Sequence, residues 1–396
     1  MQSNQGEPPA TTIRVTVAYR VLQAWRVPVF ERLAATPGIE LHVLHGEEYE
    51  GSKLRNHAGP VGFRTTCLRT LRFRMRTRNG TARIPVQIGL WRALKRHSPD
   101  VVITEGASHL LGNVISYLYC RLHRKSLIQW GLGRLAGRDT SRSRKLVDAL
   151  FFRHVERNSQ AAIAYSSRGV HYYREIGLPP EAVFLAVNTV DTERRIKEMR
   201  DYCTEQGLSC PSPVPATFKV LSIGALTEGK NVDLLLTAFA QLLAHEPGAR
   251  LQIIGDGDGR AALESLASNL GITDRVEFLG HKSSGLAPYF YDASVMVMPG
   301  LGGLAISDAL CCGVPVFCHV GDGSEVDLVD DGSGAILPEM TPEKLCEALV
   351  ALARDPVRQA QLRCGALSKI EKQHNIGTYV ASMLDAIHYC INKRKP

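Results

Sequence analysis

The chain reads as an α/β protein of two domains, and three observations predict this. Short apolar runs alternate with amphipathic stretches of helical period through both halves. Residues 201–217, with three prolines and no periodicity, separate those halves as a linker. At 396 residues the chain is long enough for two hydrophobic cores.

In the first half, residues 13–18 alternate Ile13, Val15 and Val17 with Arg14 and Thr16, the pattern of a strand. A helix over 27–35 and a second strand over 39–44 follow. This close spacing of strand, helix and strand implies a parallel sheet. Residues 84–97 carry Val86, Ile88, Leu90, Trp91 and Leu94 and are read as an amphipathic helix. After Ser98-Pro99-Asp100 a buried strand, 101–104, delivers Glu105 and Gly106 at its carboxyl end. A helix over 110–122 and a strand over 126–130 open onto Gly131, Leu132, Gly133 and Arg134. Ligands of open α/β sheets lie beyond the carboxyl ends of the strands, so Glu105, Trp130 and Arg134 are candidates for one cleft. A helix over 145–157, a strand over 161–165, a helix over 171–176 stopped by Gly177, and a strand from 183 to 187 complete this half.

The second half restarts the alternation. A strand over 218–223 leads through a loop to a helix over 232–244, expected to bury Val232, Leu235, Leu236, Phe239, Leu242 and Leu243. Lys230 stands just before that helix, where its ammonium and the helix N–H groups can grip a phosphate together. A strand over 251–254 reaches Gly255, and a helix over 261–270 follows. The strand 295–298 then runs into Pro299-Gly300-Leu301-Gly302-Gly303 and a helix over 304–312 that holds one acid, Asp308. Gly313 ends that helix, Pro315 prevents its resumption, and 314–318 is the next strand. A glycine-rich turn into a helix offers unpaired backbone N–H groups and the positive end of the helix dipole, which suits an anion. From Thr341 onward the chain is helical.

Charge is uneven. Residues 1–200 hold 32 Lys/Arg against 16 Asp/Glu, and residues 201–396 hold 15 against 23, so an anionic partner is expected on the first half alone. Within residues 64–83, Arg69, Arg72, Arg74, Arg76 and Arg78 interleave with Leu71, Phe73 and Met75. Such a stretch suits docking on an anionic membrane surface or on the phosphates of an acceptor. The plain structural alternative is an edge hairpin whose arginines resist aggregation. No helix-turn-helix, zinc-finger or RNA-recognition signature accompanies it, so nucleic acid is not expected as a partner.

Ten scattered cysteines without a C-x-x-C are expected to be reduced thiols of a cytoplasmic protein, and no metal is expected. The polar start, MQSNQGEPPATT, has no signal pattern, and no apolar run is long enough for a transmembrane helix. Gly255-Asp256-Gly257 lacks the third glycine of a dinucleotide fingerprint. The D-x-D form of Asp256 and Asp258 lies deep in the second half and is followed by a helix, against a metal role.

Residues 220–239, 253–259, 275–280, 299–316 and 329–337, with Gly177-Leu178-Pro179-Pro180 and Asn188-Thr189-Val190-Asp191, together resemble the retaining glycosyltransferases of family 4. That family has two facing Rossmann-like domains, the GT-B fold. The resemblance implies an acceptor-binding domain over 1–200, a nucleotide-sugar-binding domain over 218–374, and a C-terminal helix within 375–396 that returns to the first domain. It implies transfer of a sugar from a nucleotide-sugar to a lipid-linked or surface-glycan precursor. With the reduced cysteines and the arginine stretch, the expectation is a cytoplasmic protein held peripherally at the inner face of the membrane, with no cofactor.

Residue by residue, Lys230 matches the lysine that contacts the donor diphosphate. Asp308 stands where the family's E-x7-E motif has its second glutamate, which is expected to bind the donor ribose. Gly303, Leu304 and Ala305 would offer N–H groups, while Gly224, Gly255, Gly300 and Gly302 shape the same donor site. The chain departs from the family at three places: Gly300 replaces the first glutamate, Ala225 an arginine, and Leu132 a histidine. Arg134 is the candidate for the missing cation, and Glu105 or Glu325 for the missing acid. A nucleotide-sugar epimerase or hydrolase on the same fold, and a non-catalytic subunit, are the alternative readings.

Overall fold

The computed structural model describes residues 12–48, 55–77, 80–106, 109–133, 152–321 and 323–394. Contacts divide the chain into two compact units. The first comprises residues up to Ala186 and from Tyr379 onward; the second is Val187–Thr378.

The first unit runs β1 (Ile13–Tyr19), α1 (Val27–Ala34), β2 (Ile39–Gly46), β3 (Arg64–Leu68), β4 (Thr70–Thr77), β5 (Gly80–Gln87), α2 (Leu90–His97), β6 (Val101–Glu105), α3 (Leu110–Leu122), β7 (Ser126–Gly131), α4 (Arg153–Arg157), β8 (Ala161–Ala164), α5 (Ser167–Glu175) and β9 (Val183–Leu185). Seven of the strands form one parallel sheet in the order β3-β2-β1-β6-β7-β8-β9. Helices cover both faces of such a sheet, so its central strands are buried on both sides, and all six residues of β7 are buried. The order reverses at β1, which lies between β2 and β6, and the carboxyl ends of β1, β6 and β7 bring Tyr19, Glu105 and Trp130 to one edge of the sheet.

The helix read over 84–97 is shorter than expected. Its first residues belong to β5, which pairs antiparallel with β4 and sets Ile84 opposite Phe73 and Val86 opposite Leu71. β-Branched residues at alternate positions satisfy a strand as well as they satisfy a helix, and the partner strand decides between them. Of the helix read over 145–157, only its end, α4, lies within the described residues.

The second unit runs α6 (Thr192–Glu205), β10 (Lys219–Ile223), α7 (Val232–Leu243), β11 (Arg250–Ile254), α8 (Arg260–Asn269), β12 (Val276–Phe278), α9 (Ala287–Asp292), β13 (Val295–Met298), α10 (Leu304–Cys311), β14 (Val316–Cys318), α11 (Glu325–Leu328), β15 (Gly334–Ile336), α12 (Pro342–Ala353) and α13 (Pro356–Lys372). A last helix, α14 (Ile376–Asn392), begins here and continues into the first unit from Tyr379. The six-stranded sheet is parallel, in the order β12-β11-β10-β13-β14-β15. Its reversal lies between β10 and β13, the two strands whose following loops hold Lys230 and the 299–303 turn.

The expected linker over 201–217 is corrected on two counts. The units divide at Ala186 and Val187, and residues 201–205 are the last turn of α6, whose Met199 and Cys203 are buried in the core of the second unit. Beyond α6 the proline-rich segment is bolted down by Arg363 of α13. That side chain donates from Nε to the Ser212 carbonyl at 3.1 Å, from Nη1 to the Ala293 carbonyl at 2.6 Å, and from Nη2 to the Ser212 hydroxyl. With neutral acceptors here and only 2% of its surface exposed, burial pulls the Arg363 guanidinium down to about 10.

Candidate functional site

In the second unit the turns after β10 and β11 are laced together. Gly224 N–H donates to the Ile254 carbonyl at 3.0 Å, Leu226 N–H to the Asp256 carbonyl at 3.0 Å, and Gly255 N–H to the Gly280 carbonyl at 2.9 Å. The approach is close enough that a Cβ on Gly255 would stand 1.8 Å from the Gly224 carbonyl oxygen, so position 255 admits only glycine.

Lys230 closes a short 3-10 turn (Glu228–Lys230), and Asn231 in the left-handed region, φ 49°, redirects the chain into α7. The ammonium then donates to the carbonyls of Leu301 at 2.5 Å and Gly302 at 3.3 Å. Lysine and glycine-rich turn, distant in sequence, are therefore one site. Ser222, Gly224, Lys230, Met298 and Gly300 are among the residues lining a cavity of about 10 Å³ there. That is room for one water at most, because the lysine stem and the loop fill it.

The structure explains the missing acid at Gly300. A Cβ there would lie 2.4 Å from the Gly229 carbonyl oxygen and 2.6 Å from Lys230 Cα, so the loop rests directly on the 229–230 backbone. Leu301 N–H donates to that same Gly229 oxygen at 3.1 Å. At Gly302 a Cβ would meet Glu325 Oε1 at 2.1 Å. The Glu325 carboxylate is thus packed against the turn from behind, wholly buried, accepting the Gly323 N–H at 2.8 Å. Gly303 has open space at its Cβ position and forms the N-cap of α10. Among the described residues, the N–H groups of Leu304 and Ala305 have no acceptor, while Ile306 N–H returns to the Gly303 carbonyl at 3.2 Å. Two free amides at a helix start beside an ammonium make an anion site.

Asp308 makes a different contact from the ribose contact expected of it. Its Oδ1 accepts from Arg195 Nε at 2.7 Å, and Arg195 Nη1 reaches Glu198 at 2.7 Å. The pair joins α10 to α6, and burial pushes the Asp308 carboxyl above its ordinary value against the pull of Arg195. Arg195 carried no signal in the sequence, since one arginine in a charged helix looks like any other. Asp256 accepts its neighbour Gly257's N–H at 2.8 Å and faces Arg260 at 3.8 Å. Among the described residues no group of three or more His, Cys, Asp or Glu is placed to hold a metal ion.

In the first unit Trp130 is corrected. Expected in one cleft with Glu105 and Arg134, it has none of its surface exposed. The indole packs on Tyr19, Phe30 and Tyr165, and its Nε1–H donates to the Tyr379 hydroxyl at 2.9 Å. The same hydroxyl accepts from Arg26 Nη1 at 2.8 Å, and the fully buried Arg26 guanidinium lies 4.2 to 5.4 Å from the ring centres of Trp25, Trp130, Tyr165 and Tyr379. This cation–π box pins α14 to the sheet. Glu105 is half-buried at the end of β6 and accepts the Arg20 N–H at 3.1 Å. His109, missed in the sequence, caps α3 with no exposed surface, and burial lowers its imidazole to about 4, so it is neutral. Arg69 is exposed, as are Leu71 and Phe73 of β4. The side chains of Arg72, Arg74 and Arg76, and all of Arg78 and Arg134, lie outside the described residues.

Residues 214–369 match the family model described as "Glycosyl transferases group 1", which takes in the Lys230 loop, the 299–303 turn and Glu325. The second unit is a group 1 glycosyl transferase domain. Curated relatives include an exopolysaccharide phosphotransferase, SCO2592, of Streptomyces coelicolor, 29% identical over 50% of this chain and 22% of its own. Another is a D-inositol 3-phosphate glycosyltransferase of Streptomyces bingchenggensis, 30% identical over 50% of this chain and 46% of its own. The chain thus spans less than half the length of these relatives. Among solved structures, Anabaena Alr3699/HepE in complex with UDP is similar over 95% of this chain and all of its own, with a TM-score of 0.70 at 14% identity. That likeness shows the fold of the whole chain, two Rossmann-like units with a C-terminal helix as in GT-B structures. No helix among the described residues is long and apolar enough to cross a membrane.

Proposed function

We propose that this chain is a retaining glycosyltransferase that moves a sugar from a nucleotide-sugar to a lipid-linked or surface-glycan precursor. The observation that carries the reading is the meeting of Lys230 with the 299–305 turn, where an ammonium and two free helix-start amides stand together. Breaking a sugar–diphosphate bond leaves positive charge at the anomeric carbon and negative charge on the departing phosphate. Fixed N–H groups and a cation at that phosphate stabilise the transition state, with no metal or other cofactor called on. An ammonium has three donors, so Lys230 can exchange its carbonyl partners for phosphate oxygens. The acceptor oxygen bonds the anomeric carbon on the face the diphosphate leaves, and the acceptor proton goes to the departing phosphate. Retention follows from that geometry.

A UDP-sugar donor is supported by the solved relative that binds UDP, and a glycan acceptor by the relative named for exopolysaccharide. The arginine-rich β4–β5 hairpin, with Leu71 43% and Phe73 58% exposed, suits an anionic membrane surface at up to about 1 kcal/mol per basic residue. A peripheral, cytoplasmic enzyme on the inner face of the membrane fits both.

The test is Lys230→Met with UDP binding measured calorimetrically. Loss of a charge-assisted contact of about 1.5–3 kcal/mol predicts affinity falling roughly tenfold to a hundredfold. Unchanged affinity sinks the donor-site assignment. Nucleotide release that needs no acceptor points to the hydrolase or epimerase reading instead.

A further inference from the structure

A second cavity lies at the amino-terminal ends of β7 and β8 in the first unit, at the opposite edge of that sheet from Glu105 and Trp130. It has a volume of about 230 Å³, and its lining includes Arg121, Arg124, Lys125, Ser126 and Arg394. We propose that this cavity binds a phosphate group, as a site separate from the donor site and independent of it.

Three observations carry the assignment. Four cations converge on one concavity, and Asp100, which pairs with Lys125 at 3.1 Å, is shared with Arg14. Among the described residues neither Arg121 nor Arg124 makes an ion pair, and Arg394 donates only to the backbone carbonyls of Asp100 and Arg124. Without a bound anion the like charges repel. The second observation is Ser126, which is 1% exposed and whose hydroxyl has no hydrogen-bond partner among the described residues. A buried unpartnered hydroxyl on a cavity wall calls for a ligand or a water. Arginine forks, a lysine and a hydroxyl are together the donor set that recognises phosphate oxygens. Third, Arg124 holds a backbone position with φ 52°, where glycine or asparagine is usual.

The size of the cavity limits the ligand. It falls below the roughly 300–1,000 Å³ of sites that enclose drug-sized molecules, so it suits a phosphorylated headgroup or small phosphoester rather than a whole nucleotide. Leu118 and Leu122, 49% and 70% exposed, flank Arg121 on α3, so the phosphate could belong to a lipid as readily as to a soluble metabolite.

The experiment uses the full chain with sn-glycerol 3-phosphate in calorimetry, and with sedimenting vesicles of phosphatidylcholine alone or mixed with phosphatidylglycerol. Binding of glycerol phosphate or retention on the anionic vesicles is expected to persist in Lys230→Met. It is expected to weaken at least about tenfold in Arg121→Gln/Arg124→Gln, the loss of a charge-assisted contact. Ser126→Ala, a minimal change, is expected to weaken it too and stands in if the double variant does not fold. Soluble binding without a vesicle response assigns the phosphate to a metabolite; a vesicle response lost in the double variant assigns it to a lipid headgroup. Failure of both probes to bind, or binding unchanged in the double variant and in Ser126→Ala, overturns the site. Loss in Lys230→Met alone overturns its independence from the donor site.

Discussion

Replacing Gly300 by alanine would put a methyl carbon 2.4 Å from the Gly229 carbonyl oxygen and 2.6 Å from the Lys230 backbone. Ordinary carbon contacts start near 3.4 Å, so one strand of the site must retreat by about 1 Å. Neither neighbour is the tip of a flexible side chain. The Gly229 oxygen also accepts from Leu301 N–H, and Lys230 is tied to the Leu301 carbonyl, so a retreat strains both links. Overpacking of this kind costs about 1–3 kcal/mol, and for a unit of this size each kcal/mol lowers Tm by roughly 2–4 °C. Gly300→Ala should therefore melt roughly 3–10 °C below the wild type by scanning calorimetry. Gly303→Ala is the matched control: its Cβ position is empty and its φ of 161° is extended backbone, so its Tm should stay within about 2 °C. The glutamate that the family resemblance implies at this place should be worse than alanine, having the same Cβ and more besides. Equal melting of Gly300→Ala and Gly303→Ala would refute the claim that backbone contact, rather than relaxed selection, dictates glycine at 300.

Two further predictions concern the first unit. Tyr379→Phe removes the hydroxyl that accepts from both Arg26 and Trp130, two buried hydrogen bonds of which one is charge-assisted, which should destabilise the unit by about 2–5 kcal/mol; a loss under about 1 kcal/mol in urea unfolding would show that the box tolerates it. His109 takes its proton near pH 6.5 when unfolded but only near 4 when folded, so the unfolded chain binds more protons between those values and stability falls as pH drops. From pH 7 to 4.5 this amounts to about 2 kcal/mol, and His109→Leu should lose that much less than the wild type over the same range. Parallel pH profiles for the two proteins would falsify the buried neutral imidazole.

Most of the framework was legible in the residues, because strands covered on both faces are written as apolar runs and the turns after them as glycines. What escaped depended on partners far along the chain. The proline-rich segment after α6 has the composition of a linker, and only Arg363, some 150 residues later, makes it part of the second unit. Trp130 was rightly placed at a strand end, but the covering of both faces turned it inward, onto a tyrosine 249 residues away. Asp308 sits on the predicted helix, yet its partner Arg195 is 113 residues distant and has no motif. The hairpin was ambiguous for a different reason: Ile84 and Val86 fit either period, and pairing with β4 decided the matter.

The 299–303 turn was recognisable as an anion site and also as incomplete, since no acid precedes Asp308 at the expected spacing. Both facts now have a single cause. The turn is pressed from two sides, by the 229–230 backbone at Gly300 and by the Glu325 carboxylate at Gly302. A side chain at either place would push the loop out of reach of Lys230. Glu325 therefore does not replace the missing glutamate as a donor contact: with no exposed surface and an oxygen bound to Gly323 N–H, it acts on the shape of the turn. A loop fixed this closely presents the Leu304 and Ala305 amides in one geometry, which is what stabilising a developing phosphate charge requires. The glycines that make the motif look impoverished are the condition for its main-chain donors to be held in place.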